Sequence, residues 1–237
     1  MSGVLVVAAH PDDAELAVGG TLALLGDRGT EATVAVVAVS EADEEHRRLR
    51  VRAAERAASI LGHRLRWLAR EPLDQVEDIP EYEVVRLVDD LVAQVRPDAV
   101  LTHWEGDSHG DHVRVARAVV SSSRRWPEVS LCQFGPNEHR TTRFLEFVPN
   151  VFVPIADQLP RKLDALRSFS YPGQGFRPLD EEWARQQALL NGRHVGVPAA
   201  ESLRLLRCRT DGPGPLGIPT APLPMDDHHV REGEEDD

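Results

Sequence analysis

An α/β fold built on a mostly parallel sheet is predicted by three observations. Short, almost wholly apolar runs recur along the chain: Val4 to Ala9, Thr33 to Val39 and Ala99 to Thr102. Runs of this kind suit strands covered on both faces, as in parallel sheets, whereas a strand with one wet face alternates. Between the runs lie segments whose apolar residues return at helical spacing, and polar clusters sit where strand hands over to helix. In open α/β sheets, ligands bind at those carboxyl ends of the strands.

Taken in order, Val4 to Ala9 is the first strand and Leu16 to Leu25 the helix after it, with Gly19-Gly20 early in that helix. Glycines inside a helix do not make the G-x-G-x-x-G turn of a dinucleotide site. Thr33 to Val39, rich in β-branched residues, is the second strand. Ser40 to Asp43 leads into a charged helix in which Leu49, Ala53, Ala57 and Ile60 share one face. Leu65 to Leu68 reads as a short third strand, followed by a loop that carries Asp74. Val84, Val88, Leu91 and Val95 mark a packing helix closed by Pro97, and Ala99 to Thr102 is the next buried strand. After its loop comes the apolar-periodic segment Val113 to Val120. Val129 to Phe134 and Phe147 to Pro154 are expected as strands, Gln158 to Phe169 as a helix, and Leu203 to Leu206 as the segment that closes the domain. Gly135 to Phe144 and Tyr171 to Gly175 read as loops.

With 237 residues, 41% hydrophobic and 28% charged, the chain fits one globular domain, residues 1–209. From Thr210 the composition shifts to five prolines between Pro213 and Pro224 and then to an acidic end, so residues 210–237 are expected to be a disordered tail. No run approaches the ~18 apolar residues of a membrane span, and no basic segment with a cleavage site opens the chain, so a cytoplasmic location is expected. A net charge of −12 argues against nucleic-acid binding, which depends on clustered Lys and Arg. Only Cys132 and Cys208 are present, which excludes a disulfide framework or a cysteine zinc site. Oligomeric state is left open, a homo-oligomer included.

The chemistry concentrates in two loops. His10-Pro11-Asp12-Asp13 follows the first strand, and His10 and Asp13, three apart, can converge on one ion while Asp12 approaches without ligating. A catalytic zinc takes nitrogen and oxygen ligands, needs a third one, and keeps a position open. Asp107-Ser108-His109-Gly110-Asp111-His112 follows another buried strand and can provide it. His103, at the end of that strand, is expected to be a hydrogen-bonded wall residue and not a ligand.

These two motifs, in this order and about a hundred residues apart, resemble the PIG-L/LmbE family of zinc-dependent N-deacetylases. Weaker landmarks extend the resemblance over roughly residues 3 to 207: Arg52 with Glu55, Leu73-Asp74, Lys162 to Gln174, and Gly196 through Ser202. The resemblance implies a Rossmann-like three-layer sandwich with the metal site at the carboxyl ends of its strands. It implies one Zn2+ per chain, or another divalent ion, held by His10, Asp13 and His112. Asp12 is then the general base and His109 the group that stabilises the oxyanion. Asp111 or Asp107 orients a histidine, the two roles not being apportioned, and Arg52 and Asp74 contact substrate. The implied reaction is removal of an N-acetyl or related N-acyl group from a small amino-sugar conjugate or natural-product intermediate. An amidase acting on cysteinyl or thiol conjugates, or a non-catalytic metabolite-binding relative, is the alternative.

Overall fold

The structure, a computed structural model, describes residues 3–40, 43–69, 75–136, 146–170, 181–208, 214 and 216. Asp74 and Gln174 lie outside those residues.

Seven strands form one sheet: β1 (Gly3–Ala8), β2 (Glu31–Val36), β3 (Arg64–Trp67), β4 (Ala99–His103), β5 (Ser130–Phe134), β6 (Val151–Pro154) and β7 (Ala200–Arg207). Their order is β3-β2-β1-β4-β5-β7-β6. The first five run parallel, and β7 alone runs against its neighbours β5 and β6. β1 shows why the runs are so apolar. Val4, Val6 and Ala8 face one core, and Leu5, Val7 and Ala9 the other, so alternation puts every residue in contact with a helix layer. The first layer holds α1 (Asp13–Asp27), α2 (Glu44–Leu61), α5 (Leu159–Arg167) and α6 (Glu181–His194), whose buried residues join the first core. The second holds α3 (Glu81–Val95) and α4 (Gly110–Ser122). The three-layer α/β sandwich expected from the sequence is the fold observed.

Strand order fixes where a site can form. From β1 the chain winds outward through β2 and β3, then returns to place β4 on the other side of β1. The two loops that leave β1 and β4 therefore diverge to opposite layers and open a crevice between them, the switch point where open sheets bind ligands.

Several boundaries differ from expectation for physical reasons. Phe147 to Asn150 is not strand: pairing starts at Val151, after Pro149, and Asn150 meets the edge of β7 with its side chain, accepting from the Leu205 N–H at 2.7 Å. α6 carries no expected helix because its buried face is Ala184, Ala188 and Gly192, spaced by four but too small to register as a hydrophobic stripe.

α1 is broken at Val18 (φ −134°), and the break is bridged from far along the chain. Buried Glu201, on β7, accepts from the N–H groups of Gly20 (2.8 Å) and Thr21 (2.7 Å) and from the Thr21 hydroxyl (2.6 Å). It thus caps the second half of the helix as an N-terminal carboxylate would. Lys162, on α5, donates to Glu201 and to the Leu16 carbonyl, both at 2.6 Å, and so satisfies the end of the first half. Gly20 must be glycine here, because a Cβ would lie 2.6 Å from Ile155.

Leu216 is only 3% exposed and belongs to the first core, although it lies past the boundary expected at residue 209. We propose that the packed domain extends as far as Leu216. Deleting residues 210–237 is expected to cost about 1.5–3 kcal/mol, the burial of one leucine, and to lower Tm by several degrees. Deleting residues 218–237 is expected to leave Tm unchanged. Equal Tm values for both truncations would restore the earlier boundary.

Candidate active site

Residues Ala9 to Asp13 turn from β1 into α1, and the turn is strained at one place. Asp12 occupies the position that caps α1, but its backbone is left-handed (φ 102°, ψ −27°) and its side chain makes no capping bond. Strained non-glycine residues of this kind concentrate at functional sites. The next residue, Asp13, faces inward: one oxygen, Oδ2, accepts the His10 N–H at 2.8 Å, and Oδ1 lies 3.3 Å from Nε2 of His112.

The second loop reaches the same point from β4. His109 caps α4, its Nδ1 accepting the Asp111 N–H at 3.3 Å, and Asp107 accepts the His109 N–H at 3.1 Å. His112, on the first turn of α4, is buried against Asp13. Its ring is stacked between those of His109, 4.3 Å away by centroid, and His103, 4.0 Å away.

Each of two histidines is held by a carboxylate of its own. Nδ1 of His112 is 2.8 Å from Asp107, and Nε2 of His10 is 2.9 Å from Asp111. With one nitrogen of each ring committed to its carboxylate, the other is turned toward Asp13: Nε2 of His112 at 3.3 Å and Nδ1 of His10 at 3.7 Å. This is the arrangement in which outer carboxylates orient metal-ligating imidazoles. The two aspartates thus have separate partners, Asp107 meeting His112 and Asp111 meeting His10.

Among the described residues, two sets of three bring a donor atom from each within 4.8 Å: His10, His109 and His112, and Asp13, His103 and His112. The expected set, His10, Asp13 and His112, straddles the two. His103 is 1% exposed, and its Nε2 accepts the Ala9 N–H at 2.9 Å, so that lone pair is already used by the backbone. Burial pushes its pKa down to about 4, and the ring is neutral. It is the hydrogen-bonded wall residue expected, and its 3.3 Å approach to Asp13 is not an ion pair.

The electrostatics match a cation site. Burial opposes charge on Asp13, but the His112 ring outweighs it and holds its pKa well below the usual carboxylate range. Burial likewise works against a charged His112, yet Asp13 and Asp107 raise its pKa to about 10. Such a pocket draws in positive charge, and a divalent ion would displace the proton that His112 otherwise holds. Asp12 moves the other way: burial lifts its pKa to about 7 against the opposing pull of Arg50.

Arg50 is the residue that sequence reasoning missed. Its Nη2 reaches Asp12 Oδ2 and the Pro11 carbonyl, each at 3.2 Å. Arg52, expected at the cleft, lies on the exposed face of α2. Two residues along a helix are about 200° apart, so only one of this pair can face the sheet. The signal was available, because Arg50 falls three, four and seven residues before the buried Ala53, Ala54 and Ala57.

Fold and site together define a three-layer α/β protein with a histidine–aspartate cluster at its switch point, suited to a divalent cation. The family model PIG-L, described as GlcNAc-PI de-N-acetylase, matches residues 5–123, about half of the chain and both site loops, and the chain belongs to this family. It is 27% identical over 172 residues to an uncharacterized deacetylase of Escherichia coli K12, covering 70% of this chain and 89% of that one. Two solved structures superimpose with a TM-score of 0.71 at 22% identity. One is an N,N'-diacetylchitobiose deacetylase from Pyrococcus horikoshii (95% of this chain, 88% of that one). The other is GalB, a 4-carboxy-2-hydroxymuconate hydratase from Pseudomonas putida KT2440 (88% and 98%). The fold therefore carries more than one chemistry, and the activity has to be argued from the site.

Proposed function

We propose that this protein is a metal-dependent N-deacetylase that hydrolyses the acetamide of a small amino-sugar conjugate or related natural-product intermediate. Zinc is the ion best suited to the mixed nitrogen and oxygen donors, with His10, Asp13 and His112 as its protein ligands. The observation that carries this reading is the pair of histidines, each held by its own carboxylate with its second nitrogen turned toward Asp13. The similarity to a deacetylase of Escherichia coli gives independent support.

When bound, a divalent ion supplies Lewis-acid polarisation of the acyl oxygen and makes water a better nucleophile at neutral pH. The chain supplies the rest. Asp12, held off the helix end and with its pKa near neutrality, takes the proton from the attacking water. His109 has its Nδ1 occupied by a backbone N–H, so the neutral ring carries its proton on Nε2, where it can donate to the developing oxyanion. Burial lowers the pKa of His109, which favours that neutral donor form. Asp107 and Asp111 keep the two ligand rings in one tautomer and one direction.

The test combines metal analysis with acetate release from N-acetylglucosamine conjugates. The purified chain is expected to hold about one zinc, and His112→Ala to lose most of it together with activity, because two remaining ligands hold zinc poorly. Full zinc occupancy in that variant would sink the ligand assignment. Zinc without acetate release from any N-acetylated sugar in the wild type would leave a metabolite-binding role in its place.

A further inference from the structure

We infer that Arg50 is a positioning residue that aims the carboxylate of Asp12, an inference that rests on the reading of Asp12 as the base. An aspartate at a helix N-cap ordinarily turns its carboxylate back onto the first free N–H groups of the helix. Asp12 does not, since its left-handed backbone points the side chain away from α1. A short carboxylate released from its helix needs another restraint to keep one orientation. Among the described residues that restraint is Arg50, 38 positions later on α2, with one guanidinium nitrogen 3.2 Å from both Asp12 Oδ2 and the Pro11 carbonyl.

The pairing has the features of a brace. The two side chains are 12% and 10% exposed, so the contact is shielded from solvent and salt in a way that a surface pair is not. By gripping the carbonyl of Pro11 as well as the side chain of Asp12, Arg50 ties the strained turn and its carboxylate together. Its grip falls on Oδ2, which leaves Oδ1 as the oxygen that addresses a water. The guanidinium enters from α2 and holds the turn at both Asp12 and Pro11. Arg50 is thus placed to act through the base, and a guanidinium has no lone pair to offer a metal ion.

Arg50→Ala is expected to lower kcat by about 10²-fold, the cost of a misaimed reacting group, with KM within about threefold of wild type and zinc content unchanged. Added guanidinium should restore part of kcat, and Arg50→Lys, which keeps charge but not the fork, should fall between. In the Asp12→Asn background, Arg50→Ala should cost nothing further. A loss confined to KM would overturn the inference and make Arg50 a substrate contact, and losses that multiply in the double variant would overturn it as well. A thermal-melting cycle over the same four proteins separates this inference from the deacetylase reading. If the wild type releases no acetate at all, the deacetylase reading fails; additive melting shifts would then show that Arg50 and Asp12 do not act as a pair.

Discussion

Replacing Asp12 by asparagine is expected to leave about one zinc per chain and to lower turnover by about 10²-fold or more. The substitution keeps size and one hydrogen-bond acceptor but removes the proton-accepting carboxylate. In the wild type, burial lifts the Asp12 pKa to about 7. A base works only when deprotonated, so kcat/KM should fall as pH drops through that region. A bound divalent ion adds positive charge beside the carboxylate and moves the limb to lower pH. The acidic limb should change shape in the asparagine variant. Loss of zinc would make Asp12 a ligand, and near-normal turnover with normal zinc would remove it from the mechanism.

The second large effect concerns stability and lies away from the candidate metal site. Glu201→Ala is expected to destabilise the fold by about 3–5 kcal/mol, the range for breaking a buried ion pair from one side. It would leave Lys162 charged and buried, and the N–H groups of Gly20 and Thr21 without their cap. Glu201→Gln, which can still accept hydrogen bonds, should lose less. Urea unfolding of the three proteins checks this: a shift of the alanine variant within about 1 kcal/mol of wild type would mean that the helix break is satisfied in some other way.

How much was legible from sequence follows from what sequence patterns register. The buried parallel strands β1, β2 and β4 are mostly Val, Ala, Leu and Thr and could be found as apolar runs, and the loops after β1 and β4 stood out because each combines histidine with aspartate at a strand end. Periodicity counts hydrophobic mass, and it is blind to a helix that packs through Ala184, Ala188 and Gly192. Leu216 was hidden by its prolines and glycines, which look like tail whether or not one leucine among them is buried. Arg50 and Arg52 are equivalent as letters and differ only in helical phase, which the buried alanines of α2 fix. Glu201 and Lys162 lay within family landmarks, but their structural role was not legible, because Glu201 meets the N–H groups of Gly20 and Thr21 about 180 residues earlier and pairs with Lys162 on another helix.

That last distance has a consequence for how the chain is made. During synthesis the second half of α1 waits 180 residues, from Thr21 to Glu201, for the acceptor that completes it. Until then the helix that carries Asp13 on its opening turn has an untied break in its middle. A chain that ends before Ala200 therefore lacks the cap of that break, and is expected to be more readily cleaved by proteases than the longer chain even though every described residue of the candidate active site is present in it.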